Sequence, residues 1–109
     1  MSNNVYLPFA YPFRILAEGQ VHVVTAGTPV ALPSNADAKA VRIFNNDTTL
    51  TPIFYHGLNA TVDALSSPPI GEPIIPLGRS CDITVEANSN EVYIDSTVSN
   101  TYATYHILG

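Results

Sequence analysis

The sequence predicts an all-β protein: a single-domain antiparallel β-sandwich of about eight strands, jelly-roll-like or Ig-like, preceded by an extended N-terminal arm. Three observations carry this expectation. Short runs in which apolar and polar residues alternate, such as Val92-Tyr93-Ile94-Asp95, recur along the chain, and a period of two marks a strand with one buried face. Clusters of Gly, Pro, Asn, Asp and Ser separate these runs at spacings of roughly 8 to 12 residues, as in a sandwich or barrel. No stretch reads as a helix beyond residues 35–39, which offer one turn at most. At 109 residues the chain suits one domain with one core.

Residues 1–18 form the arm and residues 19–109 the sandwich. The arm carries Val5-Tyr6-Leu7-Pro8-Phe9-Ala10-Tyr11-Pro12-Phe13-Arg14-Ile15-Leu16, rich in aromatics and broken by two prolines. Proline forbids an ordinary helix and drives the residue before it into extended backbone. Large apolar side chains on such an arm call for a covering surface, on its own domain or on a neighbour.

After Glu18-Gly19 the first strand spans 20–25, with Val21 and Val23 on one face. Ala26-Gly27-Thr28-Pro29 turns the chain into a short strand at 30–32. Residues 40–57 read as two strands and their turn. Val41, Ile43 and Asn45 point one way and Arg42 and Phe44 the other, before Asn45-Asn46-Asp47-Thr48-Thr49 closes the turn by Asx chemistry. Ile53-Phe54-Tyr55-His56 follows and Gly57 ends it. The longest irregular segment, 58–72, holds Ser66-Ser67-Pro68-Pro69-Ile70-Gly71 and reads as a surface loop. Residues 73–77 make a short edge. Gly78 leads to a strand at 81–86 in which Cys81, Ile83 and Val85 share the inner face. Residues 91–95 place Val92 and Ile94 inward and Glu91, Tyr93 and Asp95 outward. The last strand, 101–108, sets Tyr102, Thr104 and His106 against Ala103, Tyr105 and Ile107, an aromatic in both sets leaving its facing open.

Composition narrows the function. Charged residues make up 12% and hydrophobic residues 46% of the chain, about half the usual charged share. A surface so poor in charge fits a protein covered by neighbours. Nine acidic residues face four basic ones, for a net charge of -5. Arg14, Lys39, Arg42 and Arg79 are scattered singly, so no phosphate-binding patch forms and nucleic acid is not an expected partner. No apolar run approaches the roughly 20 residues of a spanning helix and no signal peptide is evident, so neither a membrane nor secretion is expected. A lone Cys81 builds no internal disulfide and no thiolate metal site. Asn46-Asp47-Thr48 and Asn59-Ala60-Thr61 match a glycosylation sequon, read here as turn chemistry.

Catalytic patterns are missing. His22, His56 and His106 fall on different strands without metal-ligand spacing, so no metal or cofactor is expected. No serine sits in a nucleophile elbow and no glycine-rich loop awaits a phosphate. Asp82, Glu86, Glu91 and Asp95 flank what reads as one hairpin, where outward acids solvate a face. Carbohydrate binding is the competing expectation, with Tyr55, Tyr93, Tyr102 and Tyr105 as stacking platforms. The absence of tryptophan counts against it.

From Pro29 onward the arrangement resembles small phage virion β-proteins of the head-decoration (cement) and head-tail accessory kind. The resemblance lies in Pro29-Val30-Ala31-Leu32-Pro33, the Asn-ended strand Val41-Arg42-Ile43-Phe44-Asn45, the Gly-ended strand Ile53-Phe54-Tyr55-His56-Gly57, and Pro76-Leu77-Gly78-Arg79-Ser80 leading into strands with Val92-Tyr93-Ile94-Asp95. It implies a non-enzymatic oligomer, most often a trimer, made in the host cytoplasm and seated on the capsid surface across major capsid protein subunits. The alternative is a carbohydrate-binding module of a tail or fibre. Aromatic and apolar anchors dominate interfaces, which nominates Tyr6, Leu7, Phe9, Tyr11, Phe13 and Ile15 for the main contact. Leu58, Val62, Leu65 and Ile70 are nominated for a second contact in the long loop.

Overall fold

A strand whose alternate residues are apolar has one face to bury, and two such sheets bury theirs against each other. The computed structural model, which describes residues 14–49 and 51–109, follows this rule. Its strands are β1 (Ile15–Val23), β2 (Val30–Ala31), β3 (Ala40–Asn45), β4 (Phe54–Gly57), β5 (Glu72–Ile74), β6 (Arg79–Thr84), β7 (Tyr93–Ser96) and β8 (Thr101–Leu108). Among the described residues, helical structure is confined to a 3-10 turn, Ser89–Glu91. The segment 35–39 supplies only a turn.

The strands form two four-stranded antiparallel sheets, ordered β1-β8-β3-β6 and β2-β7-β4-β5. This is the strand order of a jelly roll. An Ig arrangement would keep β1 and β2 in one sheet, whereas here β8 lies between β1 and β3. Every connection except β4–β5 crosses from one sheet to the other.

That crossing corrects two expectations. Residues 40–57 do contain two strands, but β3 pairs with β8 and β6 while β4 pairs with β7 and β5. The linker 46–53 exceeds the roughly 2–5 residues of a hairpin loop and carries the chain between sheets stacked about 10 Å apart. In the same way β6 and β7 lie in opposite sheets and form no hairpin. The first strand also begins earlier than expected, at Ile15, in a bulged pairing with β8 that runs from Ile15↔Leu108 to Val23↔Thr101. Residues 15–18, assigned to the arm from sequence, are therefore part of the sandwich.

The core forms where the inner faces meet. Val21, Val23, Val41, Ile43, Ala103 and Ile107 from one sheet pack against Phe54, Ile74, Val92 and Ile94 from the other. Tyr105 joins them, which resolves the facing of β8: Ala103, Tyr105 and Ile107 point inward, and Tyr102, Thr104 and His106 outward. Polar groups are sealed in as well. Asn45 is fully buried, and its Nδ2 donates to the carbonyls of Pro52 (3.0 Å) and Ile74 (2.8 Å). A single amide thus ties β3 to the β3–β4 connection and to β5, satisfying carbonyls that would otherwise be orphaned.

At the β5/β6 side of the sandwich Cys81 Sγ lies 3.2 Å from His56 Nε2, across the two sheets. Cys81 is half-buried against the core, as its alternation with Ile83 predicts. Burial, reinforced by the negative Asp82 and Glu72, pushes its thiol from 9.0 up to about 11. Burial likewise lowers the pKa of His56, partly opposed by Glu72. Both groups are neutral at pH 7. A raised thiol pKa stabilises the fold fully below the unfolded value and loses that contribution as pH rises through the folded one. Stability should therefore fall between pH 9 and about 11, and Cys81→Val should flatten that fall in urea unfolding at stepped pH. An equally steep alkaline loss in the variant would assign it to other groups.

Candidate functional site

The antiparallel topology places the connections 24–29, 46–53, 75–78 and 97–100 at one end of the sandwich, and 32–39, 58–71 and 85–92 at the other, with Arg14 and Gly109. The exception in reach is the long loop 58–71, which turns back over the outer face of the β2-β7-β4-β5 sheet. Three contacts hold it there. Val62 is buried over Gly57 and Gly71: a Cβ at Gly57 would stand 2.6 Å from the Val62 side chain, and one at Gly71 3.2 Å from it. The glycines make room for the valine. Asp63 and Ile70 exchange backbone hydrogen bonds at 2.9 Å in both directions, closing the loop on itself. Asn59 Oδ1 accepts from the Thr61 N–H (2.9 Å) and from its hydroxyl, the turn chemistry expected of that sequon.

The third contact is a carboxylate. Asp95 has no exposed surface; its Oδ1 accepts from Gly27 N (2.9 Å) and its Oδ2 from Ala64 N (2.7 Å). Alternation correctly points Asp95 to the outer face of β7, but the loop covers that face, so the solvated acid expected there is a buried clamp. It joins the β1–β2 turn to the long loop. Glu91 departs from expectation in a similar way. It precedes β7, and its carboxylate accepts from the backbone of Glu86, Ala87 and Asn88 at 2.7–3.0 Å, which holds its pKa below the usual carboxylate value.

Fastened down, the loop still presents apolar side chains. Leu58, Leu65 and Ile70 are 56%, 58% and 45% exposed. Val62, nominated with them, is corrected: at 3% exposure it anchors the loop from beneath and is not available for contact. Of the arm residues, Ile15 is described and is exposed on β1. Tyr6, Leu7, Phe9, Tyr11 and Phe13 lie outside the described residues.

Sequence reasoning missed a second apolar spot at the opposite end. There the connections are cross-linked by backbone bonds, Leu77 N to Asp47 O (3.2 Å), Gly78 N to Asn45 O (2.7 Å), Thr97 N to Ile53 O (3.1 Å) and Asn100 N to Val24 O (3.1 Å). Ile75 and Leu77 protrude from it, and Leu77 adopts φ 76°, a left-handed conformation that is strained for a leucine. From sequence, residues 73–77 read only as a short edge.

The three histidines stay apart from one another. His22 stacks on Tyr102 (centroids 4.2 Å apart) and donates through Nε2 to Asn100 Oδ1 (2.7 Å). His106 lies 3.3 Å from Glu18 and edge-on to Phe44, and His56 meets Cys81. Among the described residues no three His, Cys, Asp or Glu side chains converge on a metal position, and no helix is long and apolar enough to cross a membrane. Of the four tyrosines nominated as sugar platforms, Tyr105 is buried and Tyr55 and Tyr93 are half-buried, which leaves Tyr102 exposed. No protein-family model matches the sequence, and no curated protein or solved structure shows significant similarity to it.

Proposed function

We propose that this chain is a non-enzymatic structural protein of a phage virion, a capsid cement protein that binds across major capsid protein subunits and stabilises the shell. The observation that carries the reading is the long loop: it is clamped at Val62 and Asp95 yet directs Leu58, Leu65 and Ile70 into solvent. Exposed apolar side chains on a fastened backbone lose little entropy on docking, the condition under which burial converts most fully into affinity. The low charged fraction and the resemblance to decoration proteins from Pro29 onward support the same reading. In it the aromatic arm supplies the main contact beside the loop, and copies associate as an oligomer, with a trimer favoured. A standard contact of about 1,600 Å² would suffice for tight binding without a single dominant bond.

The test is copy number on purified particles, by quantitative mass spectrometry against the major capsid protein. The wild-type chain should be present in simple ratio to the shell subunit. A Leu58→Ser, Leu65→Ser, Ile70→Ser variant should stay folded, because these side chains lie on the surface of the loop and outside the core, and its affinity for the shell should fall about 5- to 30-fold, as expected for removing interface anchors worth about 1–2 kcal/mol together, which lowers its copy number at limiting concentration. Deleting residues 1–13 probes the arm without entering β1. Full occupancy of both variants would overturn the docking assignment, and a handful of copies per particle would overturn the cement role.

A further inference from the structure

The two outer faces of the sandwich differ. The long loop covers one, whereas the face of β1-β8-β3-β6 presents cross-strand rows of polar and aromatic side chains. Register sets Glu18, His106, Arg42 and Asp82 in one row, and Gln20, Thr104, Phe44 and Ser80 in the next. Between β3 and β6 this face sinks into an open depression of about 310 Å³, lined by Arg42, Phe44, Ser80, Cys81 and Asp82. That is the lower end of the range for small-molecule sites, roughly 300–1,000 Å³.

The lining is specific in its chemistry. Arg42 and Asp82 form a two-point planar pair, Nε to Oδ1 at 2.6 Å and Nη2 to Oδ2 at 2.9 Å, with about half the Asp82 side chain exposed. Each Asp82 oxygen takes one bond from Arg42 and has a second lone-pair direction for a hydroxyl. The hydrogen bond from Arg42 also holds the Asp82 pKa below its ordinary value, so the carboxylate is charged at neutral pH. Beside this pair stands the ring of Phe44, steadied edge-on by His106 at 5.0 Å between centroids, and Ser80 adds a hydroxyl from β6.

An aromatic ring beside a planar array of donors and acceptors suits a ligand with an apolar C–H face and vicinal hydroxyls. The charges select among such ligands. Asp82 offsets Arg42, and the chain's net charge of -5 repels anions, so neither a carboxylate nor a phosphate is favoured. We propose that this depression binds a neutral saccharide, one pyranose ring resting on Phe44 with adjacent hydroxyls bonded to Asp82 and Ser80. The inference goes beyond the cement role and does not depend on it. The site uses none of the tyrosines.

The experiment is an amide NMR titration of the full chain with the methyl glycosides of glucose, galactose, mannose and N-acetylglucosamine. At least one should move the signals of Phe44, Ser80 and Asp82 with millimolar affinity. Phe44→Ala and Asp82→Asn should each weaken that binding about tenfold, while Tyr102→Ala, outside the depression, should leave it unchanged. Asp82→Asn disturbs only a surface pair that contributes little to stability, so it decides the matter if Phe44→Ala does not fold. No shifts up to tens of millimolar, shifts centred elsewhere, or binding untouched by Asp82→Asn would overturn the proposal. A peptide that instead moves all the amides of β6, an edge strand among the described residues and so a candidate for strand addition, would reassign the face to protein recognition.

Discussion

Asp95→Ala is expected to destabilise the sandwich by about 3 kcal/mol, because a buried acceptor serving two backbone donors is removed and each orphaned N–H costs roughly 1–3 kcal/mol where water does not replace it. The side chain has no exposed surface, and its partners, Gly27 and Ala64, belong to segments far apart in sequence. The damage should also be local. With the clamp gone, the loop 58–71 loses its carboxylate tie to β7 and the β1–β2 turn, so limited proteolysis should cut within it before the sandwich unfolds. Asp95→Asn should fall between the two proteins, since an amide offers one acceptor and sets an N–H against a donor. Urea unfolding gives the stability and mass mapping gives the cut site. A loss under about 0.5 kcal/mol, the scatter of ordinary surface substitutions, would mean that Asp95 does not hold the loop.

Phe54→Ala should cost about 3–5 kcal/mol, the range for emptying a phenylalanine site in a packed core. Phe54 has no solvent exposure and lies on β4 among the core side chains of both sheets. Little of the core can collapse into the space, because most of its other residues are β-branched and stiff at χ1. The urea midpoint should fall while the slope of the transition stays unchanged, since the surface exposed on unfolding is nearly the same. A midpoint within the range of conservative substitutions would place the mechanical centre of the core elsewhere.

Alternation located the strands because it reports burial, and burial is a property that each strand carries in its own residues. Val41 and Ile43 announce β3, and Val92 and Ile94 announce β7, whatever lies beside them. Pairing partners leave no such trace. β3 and β4 were read as a hairpin because they are consecutive, yet each obtains its buried face equally well by crossing to the opposite sheet. The same limit explains Asp95. Its own strand directs it outward, as read, but the loop that buries it is supplied from 31 residues away at Ala64. The apolar side chains of the loop were legible one by one. Which of them faces solvent was decided by Gly57 and Gly71, whose missing side chains admit Val62 and leave Leu58, Leu65 and Ile70 outside. The saccharide depression was legible only in part: parity put Arg42 and Phe44 on one face, and the register that brings Asp82 and Ser80 beside them is tertiary.

The pairing of β1 with β8, running from Ile15↔Leu108 to Val23↔Thr101, has a consequence for the order in which the molecule comes into being. Strand β8 sits between β1 and β3, so that sheet has no centre until Thr101–Leu108 has been synthesised. Only β4 and β5 are consecutive strands of one sheet, and they are joined by a long connection. Folding therefore has few local steps on which to nucleate and belongs with the slow, non-local β topologies, on scales of about milliseconds to seconds. A nascent chain emerging at roughly 5–20 residues per second therefore holds the β1-β8-β3-β6 sheet incomplete, its apolar face unpaired, until β8 has emerged.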